Sequence, residues 1–299
     1  MIPIHDDNPT SRAPILTLGL IAACIGAFVW LSDLSFIDQY SALVAFGVVP
    51  AAVTGQLALR SPYLDGFPPE AAFLTMMFLH AGWLHLGGNM LYLWIFGNNV
   101  EDRLGHGRFV ALYLVAGVAA TAAYIMLNPS SDVPLIGASG AISGVLGAYL
   151  LLYPFARIRM IVPPFLFRTF KVPAWLFLGF WFVFQSFAAA GDAVIAEDIP
   201  TGGVAWSAHV AGFLTGIVLL LMLRPKGVML FNRGGGGRRK ASGSARTGAP
   251  TRPGPWGGAH SYAEASEPAA ARSRVPTVQG SAGPIVRHVV RRPRRTVDR

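Results

Sequence analysis

Charge is scarce in this chain. Only 13% of its 299 residues are Asp, Glu, Lys or Arg, about half the share of an average soluble domain. Set beside 53% hydrophobic residues, that shortage excludes an ordinary water-soluble globule and points to a membrane protein. Cysteine is almost absent. Cys24 stands alone, so no internal disulfide can form, and its apolar neighbours suit a packing role. No H-E-x-x-H is present, which removes the zinc membrane proteases, and no metal or other cofactor is expected. Internal repeats of roughly 20–50 residues are missing too. The N-terminus has no basic region ahead of its first apolar run and carries Asp6 and Asp7 instead. That run therefore reads as a retained span, not a cleaved signal peptide.

What the sequence does hold is apolar runs. A hydrocarbon core takes about 20 apolar residues as helix, and six stretches qualify: 14–32, 83–100, 109–127, 135–153, 173–190 and 203–223. The expected fold class is therefore an all-α membrane protein, a bundle of six transmembrane helices. Residues 1–13 form an N-terminal segment, 14–223 the bundle, and 224–299 a basic, disordered tail rich in Gly, Ser, Pro and Arg. In the long 33–82 connection, the apolar part Ala71–Leu79 is expected to lie in the interface. From Arg224 on fall 16 of the 24 Lys and Arg but only 3 of the 15 Asp and Glu. The short loops repeat that bias: Arg103, Arg108, Arg157, Arg159, Arg168 and Lys171 lie on the side of the termini. By the positive-inside rule both termini are cytoplasmic. The tail's cations suit solvation and orientation, with anionic lipid headgroups as a further partner and nucleic acid as a weaker one.

On that topology the second, fourth and sixth spans all start at the outer face. "WLHLGGNMLYLW" places His85 and Asn89 there, "GASGAISG" places Ser139, and "AHVAGFLTG" places His209. At 1.5 Å per residue all four lie within the outer ~10 Å of the bilayer. His85 and Asn89 are spaced i,i+4 and share a helix face. Each has a plain packing reading alone, but polar groups in lipid are costly and tend to mark function. Together they suit acyl transfer. A serine hydroxyl needs a base within reach, and His209 is the candidate. No acidic residue lies at that depth, so the pair is a dyad without an orienting carboxylate. The Asn89 amide, His85 and the Ser139 backbone N–H are candidate oxyanion donors. Gly137, Gly140, Gly144, Gly212 and Gly216 would let the helices approach closely, and Ser143 reads as a small packing residue.

These motifs resemble the rhomboid intramembrane serine proteases. The resemblance rests on "GASGAISG" for a nucleophile at Ser139, on "HAGWLHLGGN" for His85 and Asn89, and on "AHVAGFLTG" for a base at His209. "GNNVEDRLGHGRF" is similar to the family's turn after the second helix, where Glu101 and Arg103 would hold helices together. The resemblance covers about residues 14–223. It implies cleavage of single-pass membrane proteins near the outer face, and a multi-pass location for which a bacterial cytoplasmic membrane fits. It also implies that the aromatic fifth helix, "VPAWLFLGFWFVFQSF", serves as a lateral gate. Two features depart from the family pattern: the 33–82 connection lacks a Trp-Arg pair, and Ser143 stands where some members stack an aromatic ring on the base. The alternatives are a catalytically silent rhomboid-like protein that binds membrane proteins, and a small transporter. Against the transporter stand the lack of an inverted repeat and of a buried carboxylate path. Ala141 excludes a soluble-type G-x-S-x-G elbow.

Overall fold

Backbone polar groups in hydrocarbon must be satisfied within the chain, so long apolar runs fold as helices. A computed structural model of the protein describes residues 2–64, 67–162, 165–195 and 204–232. It opens with strand β1 (Ile2–Asp6) and helices α1 (Ile15–Ser32), α2 (Phe36–Phe46) and α3 (Pro50–Val53). Then come α4 (Ala72–Thr75) between two 3-10 turns, α5 (Trp83–Tyr92), a π turn (Leu93–Gly97) and α6 (Asn98–Leu104). Helices α7 (His106–Leu127) and α8 (Ser139–Leu152) lead to strands β2 (Arg157–Val162) and β3 (Phe165–Pro173). Helices α9 (Ala174–Ile195) and α10 (Trp206–Leu223) follow.

Among the described residues, four helices are long and apolar enough to cross a membrane: α1, α7, the Ala174–Asp192 part of α9, and α10. The expected second and fourth spans take other forms. Residues 83–104 are helical throughout, but the π turn divides them into α5 and α6. The fourth is only the 14-residue α8, about 21 Å long. It begins at Ser139, four residues later than its hydropathy predicts. Leu135 is held in a two-way backbone bridge to Val48, and the Gly137 N–H donates to the Met76 carbonyl at 2.8 Å. With its amides tied to the 33–82 connection, 135–138 is not free to wind as helix.

The all-α expectation is corrected by a three-stranded antiparallel sheet in the order β1-β2-β3. Ile2 pairs with Ile161 and Asp6 with Ile158, while Arg157 pairs with Pro173 and Ile161 with Thr169. The cause is a period-2 pattern. Arg157 and Arg159 face outward while Ile158 and Met160 are buried, the alternation of a half-buried strand. The sequence reading took that stretch only as a charged loop.

Polar anchors hold the N-terminal segment and α6 to the bundle. The amides of Leu16 and Thr17, at the start of α1, donate to the buried Glu101 carboxylate at 2.9 and 2.8 Å. An anion at a helix N-terminus is favourable, and here it replaces a side-chain cap, which Pro14 does not supply. Arg103 donates to the Tyr153 hydroxyl. Asp6 lies at the end of β1 and accepts from Tyr149 at 2.6 Å, Asn99 at 2.9 Å and Asn8 at 3.2 Å. Burial pushes its carboxyl up to about 6, more than those three donors pull it down. Because the folded-state value is the higher one, this group contributes stability that is complete below about pH 4. That contribution is lost as pH rises through about 6, on the order of 3 kcal/mol in all. Hydrogen exchange of the β1 amides is therefore expected to be slower at pH 5 than at pH 8, after correction for the intrinsic rate. Equal protection at both values would exclude this role for Asp6.

After α10 the chain folds back. Phe231 and Asn232 donate their amides to the carbonyls of Leu151 and Leu152 at 2.8 and 2.9 Å, occupying acceptors that the end of α8 leaves open. Val228 and Leu230 pack on the core. The docked body thus extends beyond the expected boundary at 224, and the remainder of the tail lies outside the described residues. Truncation after Lys226 removes these bonds, at about 1 kcal/mol each. It should lower the Tm by about 5 °C, whereas truncation after Asn232 should leave it unchanged; thermal unfolding in detergent distinguishes the two.

Candidate active site

The first residue of α8 is Ser139, so its backbone N–H is among those a helix start leaves unpaired. The Ser139 hydroxyl makes no hydrogen bond among the described residues. One turn on, Ser143 is buried and donates to the Ser139 carbonyl at 2.7 Å, spending its own hydroxyl on the helix. Gly137 brings the chain into α8 at φ +118°, a conformation L side chains rarely adopt. A Cβ there would also stand 2.7 Å from His85 Nε2 and 3.8 Å from Asn89 Nδ2. Gly137 therefore serves the turn and the approach of α5, not helix–helix packing.

Helices α8 and α10 touch backbone to backbone. A Cβ on Gly212 would lie 2.2 Å from the Gly140 carbonyl oxygen, and one on Gly216 would lie 1.9 Å from that of Gly144. On its other side, a Cβ on Gly140 would meet Ala120 of α7 at 2.8 Å. This contact sets the two helices that carry Ser139 and His209 at minimum separation. Both side chains line one cavity of about 1250 Å³, together with His85, Asn89, Gly137 and Gly140.

Donors and acceptors in that cavity are unevenly paired. Asn89 is 9% exposed, and its Nδ2 is buried with no partner among the described residues. A buried amide left unpaired costs free energy, so an acceptor reaching it would gain a hydrogen bond. The His85 ring packs edge-on against His80 at 5.0 Å between centroids. His80 is buried and leans on the Phe78 carbonyl through Nδ1 at 3.2 Å. The buried His209 ring is held by α9. Its Nδ1 lies 2.7 Å from Gln185 Oε1, and Trp181 stacks on it at 6.0 Å with 28° between planes. Trp206 stands edge-on at 6.2 Å. The His209 ring is thus held from α9, not by Ser143 of α8. Neither Gln185 nor Trp181 was assigned from the sequence. The available signal was their i,i+4 spacing on one face of α9, with Gln185 a lone amide in an apolar run.

Among the described residues, a serine and a buried amide without hydrogen-bond partners thus share one cavity with a braced imidazole. A family model described as the Rhomboid domain matches residues 70–226, and the chain belongs to the rhomboid family. It is 35% identical over 158 residues to Rhomboid protein 1, mitochondrial, of Saccharomyces cerevisiae, covering 52% of this chain and 42% of that one. Over 77 residues it is 47% identical to Rhomboid protease GluP of Bacillus subtilis, covering 26% and 15%. With Rhomboid-like protein 11, chloroplastic, of Arabidopsis thaliana it shares 30% over 171 residues, covering 55% and 57%. The chain thus spans less than two thirds of the length of each of these relatives.

Proposed function

We propose that the protein is an intramembrane serine endopeptidase that cleaves single-pass transmembrane proteins near the outer membrane face through a Ser139–His209 dyad. The observation that carries this reading is the pairing pattern of the cavity among the described residues: a serine hydroxyl with no partner, an imidazole braced through one nitrogen, and a buried Asn89 amide without an acceptor. In the first step His209 Nε2 takes the proton from Ser139 Oγ as Oγ bonds to the carbonyl carbon of the substrate. The oxyanion accepts from Asn89 Nδ2, His85 and the Ser139 N–H. His209 then passes its proton to the leaving amine as the C–N bond breaks, and water resolves the acyl-enzyme by the same route.

The enzyme is multi-pass with both termini cytoplasmic, in a bacterial cytoplasmic membrane, and its partners are substrate helices and the bilayer. Anionic headgroups at the basic tail belong to this reading as well. Substrate enters between α5 and α9. Tyr92 of α5 contacts Phe177 of α9 at 6.3 Å between ring centroids, and Tyr92, Leu84 and Trp181 line the cavity itself. The test is cleavage of reporter-tagged single-pass substrates by the purified protein in proteoliposomes. Wild type should cut near the outer end of the substrate helix. A wild type that neither cuts nor takes up a serine-directed fluorophosphonate would support a silent rhomboid-like protein instead.

A further inference from the structure

His209 lacks the carboxylate that usually orients a catalytic imidazole, yet its Nδ1 is not free. We infer that Gln185 is a positioning residue that holds His209 in the Nδ1–H tautomer and so leaves Nε2 as the proton acceptor. This inference rests on the protease reading above for its catalytic meaning, and on geometry alone for the tautomer.

The Gln185 side chain is 5% exposed, and its carbonyl oxygen lies 2.7 Å from His209 Nδ1. A neutral imidazole carries one N–H, and an acceptor at one nitrogen places the proton there. Nε2 makes no hydrogen bond among the described residues. A second restraint comes from the same face of α9: Trp181, one turn before Gln185, lies nearly parallel to the imidazole. The two restraints act on different motions. Stacking limits tilt of the ring plane. The hydrogen bond opposes a half-turn about the ring axis, which would bring a C–H to Gln185 Oε1 and leave a buried acceptor unpaired. Aromatic contacts hold this face of α9 to α10, with Phe182 against Phe213 at 4.8 Å and Phe184 against Trp206 at 5.7 Å. A neutral amide can do this work at a depth where a carboxylate would bear a large desolvation cost.

The experiment compares wild type, Gln185→Met and Gln185→Glu in the full chain. Methionine keeps length and volume but removes the acceptor; glutamate offers an acceptor oxygen in either charge state. Gln185→Met should lower kcat by ~10–100-fold with KM within about a factor of two, and Gln185→Glu should restore most of the rate. Ring ¹⁵N NMR of the wild type, with His209 assigned by a His209→Ala control, should show the Nδ1–H tautomer; Gln185→Met should populate the Nε2–H form. An Nε2–H ring in wild type would mean that the amide donates, and it would overturn the inference. So would a Gln185→Met protein with lowered Tm but normal kcat, the mark of simple helix–helix adhesion. Should wild type neither cleave nor label, the protease reading falls. An Nδ1–H ring that shifts in Gln185→Met would then still support the tautomer assignment.

Discussion

Ser139→Ala and His209→Ala should each reduce cleavage to background, and the double variant should be no worse. A nucleophile and its base act as one unit, so removing either removes the step. Labelling by a fluorophosphonate should fall with both, because Ser139 reacts only when its proton has an acceptor. His85→Ala and Asn89→Ala should be milder, each near the ~10²–10³-fold of a lost oxyanion donor. The ordering follows from where each side chain stands. His209 comes from α10, whose glycines press on the Ser139 helix. His85 and Asn89 come from α5 and reach the site past Gly137. Near-normal labelling in His209→Ala together with its loss in His85→Ala would reverse the assignment of the base.

Gly216→Ala should destabilise the bundle by about 3 kcal/mol or more, at or beyond the upper end of ordinary overpacking. The added methyl would sit 1.9 Å from the Gly144 carbonyl oxygen and 2.5 Å from Gly144 Cα. Backbone cannot rotate out of the way as a side chain can, so α8 and α10 must move apart. Activity should fall with stability, since the same contact fixes the distance between the helices of Ser139 and His209. Gly26→Ala is the control. Nothing lies within 4 Å of a Cβ there, and the change should be neutral or stabilising by about 0.5–1 kcal/mol. Thermal unfolding in one detergent compares them directly, and a Gly216→Ala protein as stable as wild type would show that the helices are not in close contact.

The sequence carried the helical runs because apolar length is a strong local signal, and α1, α7 and α10 begin or end within a few residues of their predicted limits. The polar residues of the cavity were legible as motifs, since His85, Asn89, Ser139 and His209 each stand out against apolar neighbours. What hydropathy could not carry was the start of α8. Leu135 and Ile136 are apolar enough for a span, and only the pairing with Val48 and the hydrogen bond to Met76, both from a connection far back in the chain, keep them extended. The sheet was missed for a related reason. Strand β1 is five residues long, and it is defined by a partner more than 150 residues away, which no local pattern reports. Asp6 looked like a solvated charge near the N-terminus, yet its three donors make it a buried anchor. Gln185 was hidden in an aromatic helix whose composition is also explained by lipid.

The shortness of α8 has a consequence for supply. Peptide hydrolysis consumes a water molecule at each turnover, and hydrocarbon holds almost none. A 14-residue helix is about 9 Å shorter than a ~30 Å hydrocarbon core. The cavity that its first residue lines is also lined by the polar residues Asn128, Ser130, Ser131 and Asp132. Its volume of about 1250 Å³ far exceeds what a single water needs. On the protease reading proposed above, this cavity leaves room for water beside Ser139, so the co-substrate would reach the nucleophile through its polar mouth.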